Sequence, residues 1–241
     1  MLPLAEAEER RVLEAPSWIE AMVARCEAVA RDAAILSAEA ANAALKQSPG
    51  VIFEGAQGVL LDEMHGFDPH TTWSNCTFDN ACELLGEAGI GDPPVRLGVL
   101  RTYMTRHGAG PFPTHRPEWD GLLPEPHNTG AGWQGAFRRG TIDVVLLRYA
   151  LSACGGADGL AVTHVDRLPI LPAEIVDAYV IDGATAQSLN ATNIEHVRQA
   201  IPISAPISNE PEAWLEQVQQ RLGVPVLHTS QGPTWREKRS R

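Results

Sequence analysis

A single carboxamide bracketed by glycines marks the first place where this chain could do chemistry. In Phe53-Glu54-Gly55-Ala56-Gln57-Gly58 the glycines flank Gln57 directly after the β-formers Val51, Ile52 and Phe53. That composition predicts a buried strand breaking into a loop where backbone and one polar side chain approach a ligand closely. A carboxamide donates and accepts without titrating, so Gln57 suits contact with a polar ligand atom, or equally the loop's own backbone. Thr71 and Thr72 follow Pro69; a hydroxyl beside exposed N–H groups is phosphate chemistry or a self-bonded turn. In Arg106-His107-Gly108-Ala109-Gly110-Pro111-Phe112-Pro113 the glycines permit positive φ and the prolines stiffen the exit. Such a loop is preorganised, and Arg106 either holds an anion or pins the loop through its carbonyls. Arg138 and Arg139 are neighbouring guanidinium forks that suit a carboxylate or stand solvated at a helix start. Asp166 follows an apolar run, at a position that is a ligand acceptor or a helix cap.

The elements that must hold these residues alternate in type. Trp18, Met22, Cys26, Val29, Ala33 and Leu36 recur three or four apart in an Ala-rich stretch after Pro16, which predicts one or two amphipathic helices over 17–46. Gln47-Ser48-Pro49-Gly50 ends that pattern, and the strand at Val51 follows. A helical turn is expected over 79–87, a second buried strand over 97–103 and a helix over 141–153. A third strand over 159–164, a weak pattern over 168–206, a helix over 210–222 and a short strand over 224–227 complete the chain. We divide it into an N-terminal helical segment, 1–50, and an α/β domain, 51–241. Strands alternating with helices imply a mostly parallel sheet whose ligands gather at the carboxyl ends of its strands.

Composition narrows the function classes. The 241 residues are 44% hydrophobic and 20% charged, an ordinary globular balance. A net charge of -11 argues against non-specific nucleic-acid binding. The basic run 236–241 reads as a solvated tail. No stretch reaches the roughly 20 apolar residues of a membrane span, and the acidic start does not read as a signal peptide, so a cytoplasmic location is expected. Cys26, Cys76, Cys82 and Cys154 lack C-x-x-C spacing and read as free buried thiols.

Five segments carry a family resemblance. Phe53-Glu54-Gly55-Ala56-Gln57-Gly58, followed by Leu60-Leu61-Asp62 and His65-Gly66, resembles the nucleotide-site segment of adenylosuccinate synthetases. Thr105 to Thr114 is similar to the family's T-R-V-G-x-G-P-F-P-T loop. Gly140-Thr141-Ile142-Asp143 and Val162-Thr163-His164-Val165-Asp166 resemble its G-W-L-D helix start and T-K-L-D strand end, and Ser230-Gln231-Gly232-Pro233 its S-T-G-P loop. The resemblance implies a partial adenylosuccinate synthetase fold, of the P-loop NTPase-like α/β kind. It also implies a GTP-dependent ligase of purine biosynthesis that joins inosine monophosphate to an amino-acid amine. Gln57 would then contact the purine and count as catalytic, Thr72 would bind the 5'-phosphate, and His107 would face the nucleotide where the family has a small apolar residue. His164, Val165 and Asp166, with Ser230, Gln231 and Gly232, would hold GTP. Asp166 suits guanine because a carboxylate accepts from both N1–H and the exocyclic amine.

Departures matter as much. Where the family grips aspartate with threonines and arginines, this chain has Ala131-Gly132-Trp133-Gln134-Gly135-Ala136-Phe137-Arg138-Arg139, leaving Arg138 and Arg139 as the amine-donor loop. Glu125-Pro126-His127-Asn128 is a polar cluster placed to replace the grip, and the pocket is expected to be less cationic and more aromatic. His164 replaces the family's lysine. The family's glycine-rich phosphate loop, catalytic aspartate and magnesium ligands have no counterpart in the sequence, so no metal site is expected and a completing N-terminal portion is. GTP and Mg2+ are the implied cofactors, and a homodimer or a separate N-terminal half the implied partner. The alternatives are a non-catalytic purine-nucleotide-binding domain, or a ligase for a different purine or amine.

Overall fold

The computed structural model describes residues 7–125, 128, 134–189 and 194–241. The chain divides into two compact units, Met1–Val51 with Leu85–Ile90, and Ile52–Leu84 with Gly91–Arg241.

The first unit contains α1 (Ala7–Glu14), α2 (Pro16–Asp32) and α3 (Ala38–Gln47). Pro16 sits at the start of α2, where its fixed φ suits a helix and its missing N–H costs nothing. The Ala-rich stretch forms two helices because Ser37 interrupts it as a cap, accepting from the Ala40 N–H at 3.3 Å. α4 (Asp79–Glu87) follows as expected.

The second unit holds β1 (Leu97–Arg101), β2 (Met104–His107), α5 (Trp119–Leu122), β3 (Phe137–Gly140), α6 (Val144–Ala153), β4 (Gly159–Thr163), β5 (Glu174–Ile181), β6 (Ala184–Ala186), α7 (Ile194–Gln199), β7 (Ile201–Pro206), α8 (Pro211–Leu222), β8 (Val226–Ser230) and β9 (Lys238–Ser240). Its central sheet runs β1-β4-β8-β9, with β1, β4 and β8 parallel and β9 antiparallel. The mostly parallel α/β architecture is therefore present. Leu160, Val162 and Val226 of the sheet pack with Trp214, Leu215 and Val218 of α8 to form the main core. α8 begins with Glu210 accepting from Glu212 and ends at Gly223, whose φ of 69° a side chain would resist. Asp143 caps α6 through Leu146 and takes the hydroxyl of buried Tyr179. Burial pushes its carboxyl up to about 6, against the pull of those hydrogen bonds.

Several expectations fail for one reason. Val51–Phe53 is not a buried strand: it is irregular, and Ile52 is 94% exposed. β-propensity becomes a strand only when a neighbour completes the ladder, and no described residue does so here. β1 is a strand but an edge one, with Val99 72% exposed, so it is not buried either. The weak region 168–206 is an antiparallel sheet, β6-β5-β7, plus α7. The expected strand over 224–227 lies slightly later, as β8. The basic tail is β9 on the sheet edge, with Arg241 paired to Glu212 at 2.7 Å. All four cysteines are free, but Cys26 and Cys82 are exposed and the other two half-buried.

Candidate functional site

The loop after Phe53 is built around one buried acid. Asp62 is fully buried, and its carboxylate accepts from the N–H groups of Met64 at 2.8 Å, His65 at 2.9 Å and Cys76 at 2.6 Å. Burial opposes its charge, yet those three donors hold the carboxyl below its ordinary range. Thr72 N–H donates to Leu61 at 2.8 Å, and Glu63 N–H to Ser74 at 3.2 Å, so the two arms of the loop lie side by side. Gly66 is required there, because a Cβ would stand 2.5 Å from the Asp62 carbonyl oxygen. With the backbone satisfied this way, Gln57 is exposed and its carboxamide makes no hydrogen bond among the described residues. The half-buried Thr72 likewise bonds through its N–H and leaves its hydroxyl free. Asp62 is the functional residue that the sequence marks only as part of a matched run; its burial is a tertiary fact.

The segment read as two loops is partly a two-stranded sheet. β2 and β3 pair antiparallel with Arg106 opposite Arg138, Thr105 opposite Arg139 and His107 opposite Phe137. Arg106 donates to the carbonyls of His70 at 2.8 Å and Leu60 at 3.4 Å, so it pins the Gln57 loop. Burial, then the neighbouring Arg138, brings its pKa down to about 10. Arg139 is 7% exposed, donates to Asp120 at 2.7 Å and lies 4.9 Å over the Phe137 ring. It is neither a solvated pair with Arg138 nor open to a ligand. Arg138 is half-buried and donates to the Gly110 carbonyl at 2.5 Å.

His107 belongs to a chain of polar contacts. Its Nε2 meets Asn128 Oδ1 at 3.1 Å, and the Asn128 amide nitrogen donates to Glu125 at 3.2 Å. Glu125 also pairs with Arg101 and accepts from Tyr103 at 3.0 Å. Burial raises its carboxyl, but Arg101 and these donors outweigh that and hold it below the ordinary range. An ionised Glu125 only accepts, which orients the Asn128 oxygen toward His107 and places the proton on Nε2. His107 Nδ1 is buried with no hydrogen-bond partner among the described residues. Glu125 and Asn128 are thus engaged with protein, while Pro126, His127 and Ala131 to Trp133 lie outside the described residues. Phe137 is buried beneath Arg101, Arg139 and His107.

The remaining candidates lie at the carboxyl ends of two adjacent parallel strands. β4 pairs with β8 through Val162 opposite Thr229, so His164 to Asp166 and Ser230 to Gly232 emerge side by side. His164 adopts φ 61°, ψ 29°; its carbonyl accepts from Thr102 at 2.9 Å and its Nδ1 meets Thr163 at 2.9 Å. Burial, then Arg101, lowers its pKa, so the ring is neutral. Val165 is in the core and offers only backbone. The Asp166 carboxylate does not cap a helix; it meets Arg167 at 3.1 Å with its side chain 36% exposed. Ser230 donates to Gly232 at 3.0 Å and accepts from Lys238 at 2.7 Å, while Gln231 is exposed. A Cβ at Gly232 would meet the Glu237 carboxylate at 2.5 Å, so that side chain would have to swing aside to admit one. No group of three His, Cys, Asp or Glu side chains able to hold a metal ion occurs among the described residues.

Adjacent loops at the carboxyl ends of a mostly parallel sheet define an α/β protein of the open-sheet kind, whose ligands gather at those strand ends. A family model described as adenylosuccinate synthetase matches residues 5–238. The adenylosuccinate synthetase of Sorangium cellulosum is 35% identical, over 79% of this chain and 48% of the relative. That of Streptomyces griseus is 30% identical, over 95% and 57% respectively. The solved structure of fully ligated adenylosuccinate synthetase from Plasmodium falciparum superposes with a TM-score of 0.66 at 21% identity, covering 78% of this chain and 49% of that one. Cyanophage S-2L succinoaminodeoxyadenylate synthetase, bound to dGMP and dATP as an energy donor, gives 0.56 at 17% identity, covering 89% and 54%. The chain belongs to the adenylosuccinate synthetase family, and it spans about half the length of the curated relatives it matches.

Proposed function

We propose that this chain forms the purine- and guanine-binding side of a GTP-dependent carbon–nitrogen ligase of purine nucleotide biosynthesis. The observation that carries this reading is the state of the Gln57 loop: Asp62 satisfies its backbone and leaves the Gln57 carboxamide and the Thr72 hydroxyl free. In this reading Gln57 contacts the purine of inosine monophosphate or a related nucleotide, Thr72 its 5'-phosphate, and His107 its base edge. Asp166 reads the guanine of GTP, with His164, Val165 backbone, Ser230, Gln231 and Gly232 around it. An exposed ion pair such as Asp166–Arg167 contributes only about 0–1 kcal/mol, so guanine can displace the arginine. GTP supplies the phosphoryl group that activates the purine oxygen. In this reading the chain's own residues bind and orient the purine and the guanine. A homodimer or a separate N-terminal half as partner, a cytoplasmic location and the division at residue 50 belong to the same proposal. No helix among the described residues is long and apolar enough to cross a membrane.

A different purine or amine is the second reading, and His107 favours it. A buried unpartnered ring nitrogen where the family has an apolar residue suits a purine carrying an additional polar group on its edge, while Arg139 is held by Asp120 and is not available to an amino-acid carboxylate.

The test is calorimetric titration of the chain with inosine and guanosine monophosphates, GTP and ATP. GTP is expected to bind more tightly than ATP, and Asp166→Asn to weaken guanine binding by about 1–3 kcal/mol without altering stability. No purine nucleotide binding at all would sink the reading, and an unchanged base preference in Asp166→Asn would assign that carboxylate to Arg167.

A further inference from the structure

Arg106 and Arg138 face each other directly across the β2–β3 pair, an arrangement in which like charges repel. Arg106 is 7% exposed. The Nε of each arginine is buried and without an acceptor, and neither guanidinium meets a carboxylate among the described residues. Their only acceptors among the described residues are backbone carbonyls, of Leu60 and His70 for Arg106 and of Gly110 for Arg138, and both lie over aromatic rings. Arg106 lies 5.7 Å over the Phe67 ring and Arg138 5.4 Å over that of Phe112. Gly110 fits closely between them, for a Cβ there would fall 2.1 Å from Arg106.

A third arginine closes the group. Arg198 of α7 meets His70 Nε2 at 3.1 Å. A guanidinium can only donate, so that nitrogen accepts and the imidazole is neutral, with Nδ1 as its N–H. The same field is visible at two histidines: burial, then Arg106, Arg198 and Arg138, holds His70 below its ordinary pKa, and burial, then Arg138, does so at His115. The acids nearby are Asp68 beside His70, Glu195 paired with Arg198 at 2.6 Å, and Asp120 and Glu118 beside His115. In a chain of net charge -11, it is conspicuous that one guanidinium, Arg198, meets a neutral imidazole, a second, Arg106, meets the same residue's carbonyl, and a third, Arg138, adds to their field.

We propose that Arg106, Arg138, His70 and Arg198 form a binding site for a phosphate dianion, whether inorganic phosphate or the phosphate of a nucleoside monophosphate. The unmatched N–H groups of the guanidiniums and of His70 are the donors that such a group accepts from, and its charge relieves the repulsion across the strand pair. The site stands on this geometry and not on the ligase reading, since Gln57 and Asp166 take no part in it.

The experiment is thermal unfolding of the full chain in phosphate-free buffer. Inorganic phosphate, inosine monophosphate and inosine are added in separate arms, with chloride at matched ionic strength as the control. Inorganic phosphate or the monophosphate is expected to raise the midpoint by several degrees while inosine and chloride do not; a response to the monophosphate alone identifies a nucleotide as the source. Arg138→Gln is expected to weaken the half-saturating concentration at least tenfold. Arg198→Gln, at the exposed rim where folding is not at risk, is expected to weaken it several-fold. No response to either phosphate, or responses unchanged in both variants, would overturn the proposal.

Discussion

The loop that carries Gln57 and the strand pair that carries Arg138 and Arg139 solve the same problem in opposite ways. In the loop, one buried carboxylate, Asp62, takes the backbone donors of Met64, His65 and Cys76, and the side chains of Gln57 and Thr72 remain unengaged. In the strand pair the side chains themselves hold the structure: Arg106 pins the loop, Arg139 is tied to Asp120, and His107 is tied to Asn128. Both regions present polar residues of types that bind ligands. Availability, not residue type, separates them, and availability depends on which neighbour has already satisfied the group.

The largest expected effect tests the first half of this comparison. Asp62→Ala removes one buried acceptor group from three backbone donors, and unsatisfied buried donors cost about 1–3 kcal/mol each, so a loss on the order of 3–5 kcal/mol is expected in urea unfolding. A loss below about 1 kcal/mol would mean that the loop has another organiser and that the freedom of Gln57 needs a different explanation. Arg139→Met comes next. Its partner Asp120 is 59% exposed on its side chain and returns to water, so the loss reduces to packing and one charge-assisted bond, about 1–3 kcal/mol. If that variant were fully stable but bound an amino-acid substrate more weakly, Arg139 would be a ligand group and the contrast would collapse. Gln57→Ala is expected to be the mildest for the fold, changing stability by no more than about 0.5 kcal/mol, while weakening purine monophosphate binding measured by calorimetry. A destabilisation well beyond that would show that the carboxamide supports its own loop.

Legibility in the sequence followed how local each feature is. Pro16 marked the start of α2, whereas the break at Ser37 came only with the structure; Gly223 and Asp143 sit where α8 ends and α6 begins. The pattern over 159–164 was sufficient for β4, whose Leu160 and Val162 are buried in the main core. The same reasoning made a strand of Val51–Phe53, where the structure has an irregular and exposed segment, and it left β5, β6 and β7 unread. Candidate residues were recognisable as runs around Gln57, Thr105 to Thr114 and Asp166. Their states were not: nothing near Arg139 in the chain announces Asp120, and nothing near His107 announces Asn128 and Glu125.

By itself the sequence determined that helices occupy the regions of α2, α3, α4, α6 and α8, the α/β alternation and the glycine positions around the candidate site, because periodicity and backbone freedom act over a few residues. Only the tertiary structure decided that β1 is an edge strand, that Arg106 opposes Arg138, and that Gln57 and Thr72 are free while Arg139 is not. Strand ladders and buried polar partnerships join residues far apart in the chain, and a buried donor takes whichever acceptor the fold brings to it.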